Sequence, residues 1–354
     1  MTHPNDVAVG IVGLGGIGSH HATKLTERGA NLVGGMDVDP DARNRFREEF
    51  DVPAYEDEAA LYAECDAAFV TTPNRFHEEY ATSALSAGLD VLVEKPLAHT
   101  LESAERIAAA ARDAEGFCTV GFNSRFTEPV RVVKHYQDEG RFGETTHVEA
   151  EYVRRRGVPG RGSWFTSAEV AGGGALIDIG VHAIDLALHF LDHPEVVEVT
   201  GETRSAFGGR DDYAYVDMWG DDAGPEGFDV EDSASAFLRA ADGSTVSLEV
   251  AWATNRPAGN EFVVRGTEAG ATLDRGDGEL TIHEAGVGGG HHLSDAAVET
   301  RGGDDHAAEQ AAFLEAAAAG EAPAMNTVEE GLRVQRVVDA IYRSAETGAA
   351  VRLD

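Results

Sequence analysis

Apolar and polar positions alternate on two different scales along this 354-residue chain, and the change of scale falls near residue 122. Before it, short apolar runs at 7–12, 32–36, 67–70, 91–93 and 117–120 are separated by stretches of helical period. Apolar runs of that length predict strands buried on both faces, and the intervening helices predict βαβ units with right-handed crossovers. A doubly wound α/β domain is therefore expected over 1–122.

Beyond that point a helix is expected near 129–139, followed by "THVEAEYVR", "SASAFLRA", "STVSLEVAW" and "EFVVRG", where apolar and polar residues alternate. Such alternation predicts strands with one buried face, and Asp242-Gly243 and Asp277-Gly278 predict hairpin turns. Residues 123–354 are thus expected to form an α+β domain on a largely antiparallel sheet, with 208–232 and 285–305 as loops or extended edges. Leu332, Val334, Val337, Val338 and Ile341 mark a docked helix over 328–347 that stops at Gly348.

Composition then narrows the function classes. With 63 acidic residues against 28 basic ones the formal charge is −35, which repels nucleic acid and anionic membrane surfaces. The acidic residues are scattered through periodic segments rather than gathered in a tail, and lysine occurs only as Lys24, Lys95 and Lys134. That combination resembles proteins of salt-accumulating halophiles, where a Debye length of about 3 Å at 1 M salt screens self-repulsion. Cys65 and Cys118 are isolated, so neither a zinc site nor a disulfide framework is expected. No export signal is read at the N-terminus. The longest apolar segment is broken by Asp178, His182, Asp185 and His189, so no membrane span is expected and a cytoplasmic protein is.

"VGIVGLGGIGSHHATKL" places Gly13, Gly15, Gly16, Ile17 and Gly18 between an expected strand and an expected helix. In that context the G-x-G-x-x-G pattern exposes backbone N–H groups at a helix N-terminus, where a pyrophosphate is favoured. The next strand ends at Asp37, 19 residues after Gly18, about where a carboxylate accepts the adenosine ribose hydroxyls and disfavours a 2′-phosphate. NAD is the expected cofactor. NADP stays open because Arg43 or Arg45 could offset that repulsion, and FAD shares the fingerprint at this level.

In "GGGALIDIGVHAIDLALHFL" a helix is expected from Leu176, with Ile177, Val181, Ile184, Leu188 and Leu191 on a core face. Asp178, His182, Asp185 and His189 form a second stripe one residue farther round. Asp178 and His182 are four apart, so the carboxylate can orient the imidazole for acid/base work or the two can form an ordinary helix pair. No complete ligand set for a metal is evident, and His20-His21 and His291-His292 do not supply one. In "VLVEKPLAHT", Lys95 follows an apolar strand, and Pro96 admits a cis bond that would fix its direction.

Together "GLGGIG", "TTPNRFHEEYATSALSAGLDVLVEKPL", "GFNSRF" and the histidine helix resemble the glucose-fructose oxidoreductase and inositol 2-dehydrogenase (Gfo/Idh/MocA) family over nearly the whole chain. The resemblance implies a Rossmann domain followed by an open-faced sheet domain. It implies Lys95 near the reacting hydroxyl, Asp178 binding or orienting, and His182 exchanging the hydroxyl proton. It also implies Thr72, Asn74, His77 and Glu94 around the cofactor, and Asn123 and Arg125 on the substrate side. "RRRGVPGRGSWFTS" looks like the segment of members acting on inositols and glycosides, which adds Arg156 and Trp164 to the substrate side. Arg154, Arg155, Arg156 and Arg161 would suit an anionic substrate or equally form surface ion pairs.

The chemistry also follows from the residue types. Oxidising a secondary alcohol releases a hydride and a hydroxyl proton, so a base near neutral pKa is efficient and a lysine can stabilise the developing alkoxide. The expected activity is an NAD(P)-dependent dehydrogenase of a sugar, glycoside, sugar acid or cyclic polyol. A keto-sugar reductase and a non-catalytic dinucleotide sensor are the alternatives. An exposed sheet face calls for a cover, so a homodimer or homotetramer is expected.

Overall fold

The computed structural model describes residues 3–216 and 218–353. They fall into two compact units, one of Met1–Asn123 with Asp304–Gln335 and one of Ser124–Gly303 with Arg336–Asp354. The division differs from the expected one in two respects: Asn123 and the segment from Asp304 to Gln335, both assigned above to the second domain, belong to the first unit.

The first unit is built on strands β1 (Val9–Val12), β2 (Leu32–Met36), β3 (Ala54–Tyr55), β4 (Ala67–Val70), β5 (Asp90–Glu94) and β6 (Cys118–Gly121). They lie in the order β3-β2-β1-β4-β5-β6 with every pair parallel. β1 and β4 are buried at every position, as unbroken apolar runs require of a sheet covered on both faces. Strand order reverses between β1 and β4, and the crevice at the carboxyl ends of the strands there is where such sheets take ligands. Helices α1 (Gly16–Arg28), α2 (Pro40–Phe50), α3 (Glu58–Tyr62), α4 (His77–Ser86) and α5 (Leu101–Asp113) form the connections. The additional segment contributes α9 (Asp305–Ala319), whose Phe313 and Leu314 enter the core beside Ile11, Leu25, Phe46 and Phe69. Phe313 meets Phe69 and Phe117 edge-on, with ring centroids 5.2 and 5.4 Å apart. Burying a side chain of that size is worth about 1.5–3 kcal/mol, which ties this distant stretch of chain to the Rossmann sheet.

The second unit holds helices α6 (Glu128–Asp138), α7 (Ala168–Ala171) and α8 (Val181–Phe190). Its strands are β7 (Thr145–Val153), β8 (Val196–Arg204), β9 (Ser233–Ala240), β10 (Thr245–Ala251), β11 (Glu261–Gly266), β12 (Ala269–Asp274), β13 (Glu279–Gly286), β14 (His292–Val298) and β15 (Val351–Arg352). Their order is β14-β13-β12-β11-β7-β10-β9-β8-β15. β7 and β10 run parallel, and the other named pairs are antiparallel. The Asp242-Gly243 and Asp277-Gly278 turns close hairpins as expected. Asp217 of the expected 208–232 loop lies outside the described residues, and 285–305 contributes the exposed edge strand β14. The expected C-terminal helix is α10 (Val328–Thr347), which begins in the first unit and continues in the second from Arg336, with Leu332, Val334, Val337, Val338 and Ile341 all buried.

The 168–190 stretch is long and apolar enough to cross a membrane, but 83% of it is buried in this structure, which makes it a core helix. It is not a regular α-helix throughout. Leu176–Gly180 is a π-helical turn that runs directly into α8, and turns of this kind are frequent at functional sites.

Candidate functional site

In the first unit the glycine loop follows β1. Gly13 has φ +93°, and a Cβ there would lie 2.8 Å from the Thr72 nitrogen; a Cβ on Gly18 would lie 2.0 Å from the Gly13 oxygen. Those two glycines make the turn and let α1 approach it. At Gly15 and Gly16 a Cβ would meet nothing within 4 Å. Gly15 is the N-cap of α1 and offers no side-chain cap, so the first-turn N–H groups, with Ile17 among them, remain for an anion. Asp37 follows β2, its Oδ2 accepting from the Leu14 N–H at 2.7 Å and its Oδ1 from the Asp39 N–H at 2.8 Å. The Arg43 guanidinium donates to the Asp37 carbonyl oxygen at 2.6 Å and to that of Val38 at 3.0 Å. The Thr72 hydroxyl is buried without a partner among the described residues. An open turn, a carboxylate after the second strand and an orphaned hydroxyl beside them fit a dinucleotide.

The ends of β4 and β5 are held by histidines. His77 is fully buried, with Nδ1 2.9 Å from the Pro96 carbonyl oxygen and Nε2 2.8 Å from that of Thr72. Burial pushes its imidazole below the ordinary range. Its ring lies between the carbonyls that follow the two strand ends and, being neutral, donates to one of them. Asn74 is buried beside them, and the Lys95–Pro96 peptide is cis.

Glu94 closes β5 and is buried. Its Oε1 lies 2.7 Å from His21 Nε2, and its Oε2 accepts from the Lys95 N–H at 3.1 Å. Burial would raise this carboxyl, but the His21 hydrogen bond and the charges of His21, His306 and Lys95 outweigh burial and hold it at about 2. The folded value thus lies below the ordinary 4.5. Its stabilising contribution is complete above that ordinary value and is lost as pH falls towards about 2. Glu94→Gln is therefore expected to unfold at lower denaturant than the native chain at about pH 6, with the gap closing on acidification. A gap independent of pH would contradict a depressed carboxyl.

One histidine–carboxylate cluster of metal-binding composition occurs among the described residues: His21, Glu94 and His306 bring one candidate atom each within 4.8 Å of one another. His21 already bonds Glu94 through Nε2, and Gln310 donates to its Nδ1 at 2.8 Å. The cluster therefore reads as a buried hydrogen-bond chain. Asn123 belongs to this unit as well, donating to Asp305 Oδ2 and lying 3.0 Å from His306 Nε2. Its amide hydrogens are thus engaged inside the Rossmann unit.

In the second unit the titratable stripe divides. Arg125 and Asp185 are both fully buried and form a bidentate pair, Nε–Oδ2 3.0 Å and Nη2–Oδ1 2.6 Å. Arg125 is thus held in the interior by a carboxylate of the same unit. Burial first, then the charges of Arg125 and Lys134, push His189 down to about 2, so it is neutral. Asp178, on the π-turn, accepts from the Trp252 indole N–H at 2.9 Å and lies 3.6 Å from the Arg154 guanidinium. His182 opens α8, with Nδ1 3.4 Å from the Ser124 hydroxyl, and Arg275 donates to that hydroxyl at 2.7 Å.

Glu231 sets the start of this helix. Its buried carboxylate accepts from the N–H groups of Gly174 and Leu176 and from the Tyr342 hydroxyl, and burial pushes its pKa upward. A Cβ on Gly174 would lie 1.9 Å from the Glu231 carbonyl oxygen, so the glycine run admits this close approach. Glu231, Trp252, Ser124 and Arg275 were not singled out by sequence reasoning. The "GGG" run was the one signal of close backbone contact.

The arginine segment is mostly engaged within its own unit. Arg156 donates to the carbonyl of Arg155 and the side chain of Asn255 and sits over the Phe207 ring at 4.7 Å. Arg161 is buried, bidentate on Asp222, and donates to the Gly208 and Arg210 carbonyls. Trp164 stacks on Phe165 at 3.6 Å between ring centroids. Arg156 thus braces its own loop.

Residues 7–122 match the family described as "Oxidoreductase family, NAD-binding Rossmann fold", and residues 130–272 match the "GFO/IDH/MocA C-terminal domain". The chain belongs to the Gfo/Idh/MocA oxidoreductase family. Among its relatives, D-glucoside 3-dehydrogenase of Escherichia coli is 32% identical over 81% of this chain and 79% of its own. D-xylose 1-dehydrogenase (NADP(+)) 2 of Haloferax volcanii is 27% identical over 98% of this chain and 99% of its own. The solved structure of levoglucosan dehydrogenase in complex with NADH and levoglucosan shares the fold, with a TM-score of 0.85 over 99% of both chains at 23% identity. This Gfo/Idh/MocA member thus carries an NAD-binding Rossmann unit over residues 7–122.

Proposed function

We propose that this protein is an NAD-dependent dehydrogenase acting on a secondary alcohol of a sugar, glycoside, sugar acid or cyclic polyol. The observation that carries the reading is the division of the helix stripe: Asp185 is engaged by Arg125 and His189 is neutral, which leaves Asp178 and His182 for chemistry. The dehydrogenase names of the D-glucoside and D-xylose relatives support the substrate class. Within it, the engaged Arg156 and Arg161 favour uncharged substrates over sugar acids and phosphates.

The Gly13–Gly18 turn and the α1 N-terminus would hold the pyrophosphate of NAD, Asp37 its adenosine ribose, and Thr72, Asn74 and Glu94 its nicotinamide half. Bound NAD supplies the hydride acceptor. His182 takes the hydroxyl proton at a ring nitrogen, and the Lys95 ammonium stabilises the charge developing on the carbinol oxygen. Asp178, fixed by Trp252, orients the reacting hydroxyl. His77 supports the Lys95 corner through the Pro96 carbonyl.

Formation of NADH or NADPH over a panel of inositols, aldoses, glycosides and sugar acids at high KCl tests the proposal. Tight NAD binding with no turnover of any of them, in either direction, would favour a sensor instead. Asp37→Ser is expected to weaken NAD binding about tenfold and to narrow the preference over NADP by a similar factor, since a hydrogen bond to a charged group is worth about 1.5–3 kcal/mol. Fluorescence titration with both cofactors measures it, and an unchanged ratio would remove Asp37 from recognition.

The formal charge of −35 further supports a protein that works at high salt. Its thermal midpoint is expected to rise steeply with KCl, and full stability without added salt would contradict this. Free Cys65 and Cys118 support a reducing, cytoplasmic setting. Exposed Phe237 on β9 supports a homodimer or homotetramer covering the sheet.

A further inference from the structure

We propose that Ser124 and Arg275 are positioning residues that fix the ring of His182, an inference that rests on the acid/base role given to that histidine. The Ser124 hydroxyl is fully buried, and its partners are His182 Nδ1 at 3.4 Å and the Arg275 guanidinium at 2.7 Å. A hydroxyl has one hydrogen and two lone pairs, whereas a guanidinium can only donate. Arg275 therefore fills one lone pair and leaves the other to accept the Nδ1 hydrogen. When Nε2 exchanges a proton, Nδ1 keeps its hydrogen in both the neutral and the protonated ring, so Ser124 holds the ring in either state. With Nδ1 on Ser124, Nε2 is the nitrogen that exchanges the substrate proton. The assignment of the two ring nitrogens by a neighbour's hydrogen bond is how proteins set histidine function.

The three residues come from separate parts of the chain. Ser124 begins the second unit, His182 opens α8, and Arg275 lies in the turn from β12 to β13, where its N–H donates to the Asn260 carbonyl at 2.8 Å. The neighbouring residue explains why Ser124 stays in place: Arg125 is locked into Asp185 three residues after His182 on the same helix. A hydroxyl so anchored is suited to hold a ring to the few tenths of an ångström that proton transfer requires.

The test uses the full chain labelled with [15N]histidine, together with steady-state kinetics on whichever sugar gives turnover. The His182 ring signals are identified by their loss in His182→Gln. In Ser124→Ala those signals are expected to change position or tautomer ratio while the other histidines keep theirs, and Arg275→Met is expected to move them the same way. Turnover is expected to fall about tenfold to a hundredfold with KM for NAD unchanged, the size of effect that a misplaced reacting group produces. Ser124→Thr, which keeps the hydroxyl, should restore most of it. Unmoved His182 signals in both Ser124→Ala and Arg275→Met would overturn the proposal, as would equal turnover in Ser124→Ala and Ser124→Thr. Should Ser124→Ala fail to fold, Arg275→Met alone decides. Absence of turnover in the native protein would count against the dehydrogenase reading, while the ring signals would still judge the positioning role.

Discussion

His182→Ala is expected to lower turnover by about 10²–10⁴-fold, the range a positioned acid/base contributes, with the Kd for NAD staying within about twofold. Lys95→Ala is expected to give a comparable loss, because a cation aimed at a developing oxyanion acts where water is displaced. The reason for separating turnover from cofactor binding lies in the fold. The glycine turn, Asp37 and Thr72 belong to the strand ends of the Rossmann sheet, whereas His182 belongs to the other unit. Fluorescence titration and steady-state rates on one substrate measure both quantities. Near-normal turnover in either variant would refute the role given to that side chain, and a joint loss of NAD affinity would show that the chain had not folded normally.

Arg125→Ala is expected to cost about 3–5 kcal/mol of stability, the largest single effect predicted away from the chemistry. The pair with Asp185 is fully buried on both sides. Truncating the arginine strands a carboxylate in a low-dielectric interior, and that penalty exceeds what the pair itself gains. The double change Arg125→Met with Asp185→Leu, which removes both charges at similar volume, should recover much of the loss. Denaturant midpoints at one fixed KCl concentration give both values. A single variant as stable as the native chain would show the pair to be dispensable, and one equally stable but with a raised substrate KM would return Arg125 to the substrate side.

How much of this was legible beforehand depended on the range of the interaction. The glycine loop, Asp37 and the Lys95 corner are each a local pattern: a strand, a turn and a helix in succession, with side-chain needs visible in the sequence. The same holds for the alternating strands of the second unit and for α10. By contrast, Asn123, Arg125 and Arg156 were placed on the substrate side by family resemblance, which states what a motif is used for and not what each side chain meets here. Arg125 and Asp185 are 60 positions apart, and Asn123 and Asp305 are 182 apart. Nothing in a periodic pattern joins them.

The stripe on the histidine helix shows the same division within one element. Periodicity placed Asp178, His182, Asp185 and His189 on one face, which is a consequence of helical geometry alone. What each of the four meets comes from elsewhere in the chain: Arg125 for Asp185, desolvation for His189, Trp252 for Asp178, and Ser124 for His182. The π-turn over Leu176–Gly180 depends on Glu231, 55 positions from the Leu176 N–H it accepts. Backbone preference and hydrophobic period act over a few residues, so the sequence by itself determined the elements, the fold class and the dinucleotide turn. Burial, charge pairing and hydrogen-bond satisfaction act through space, and only the tertiary structure decided which polar side chains they bring together.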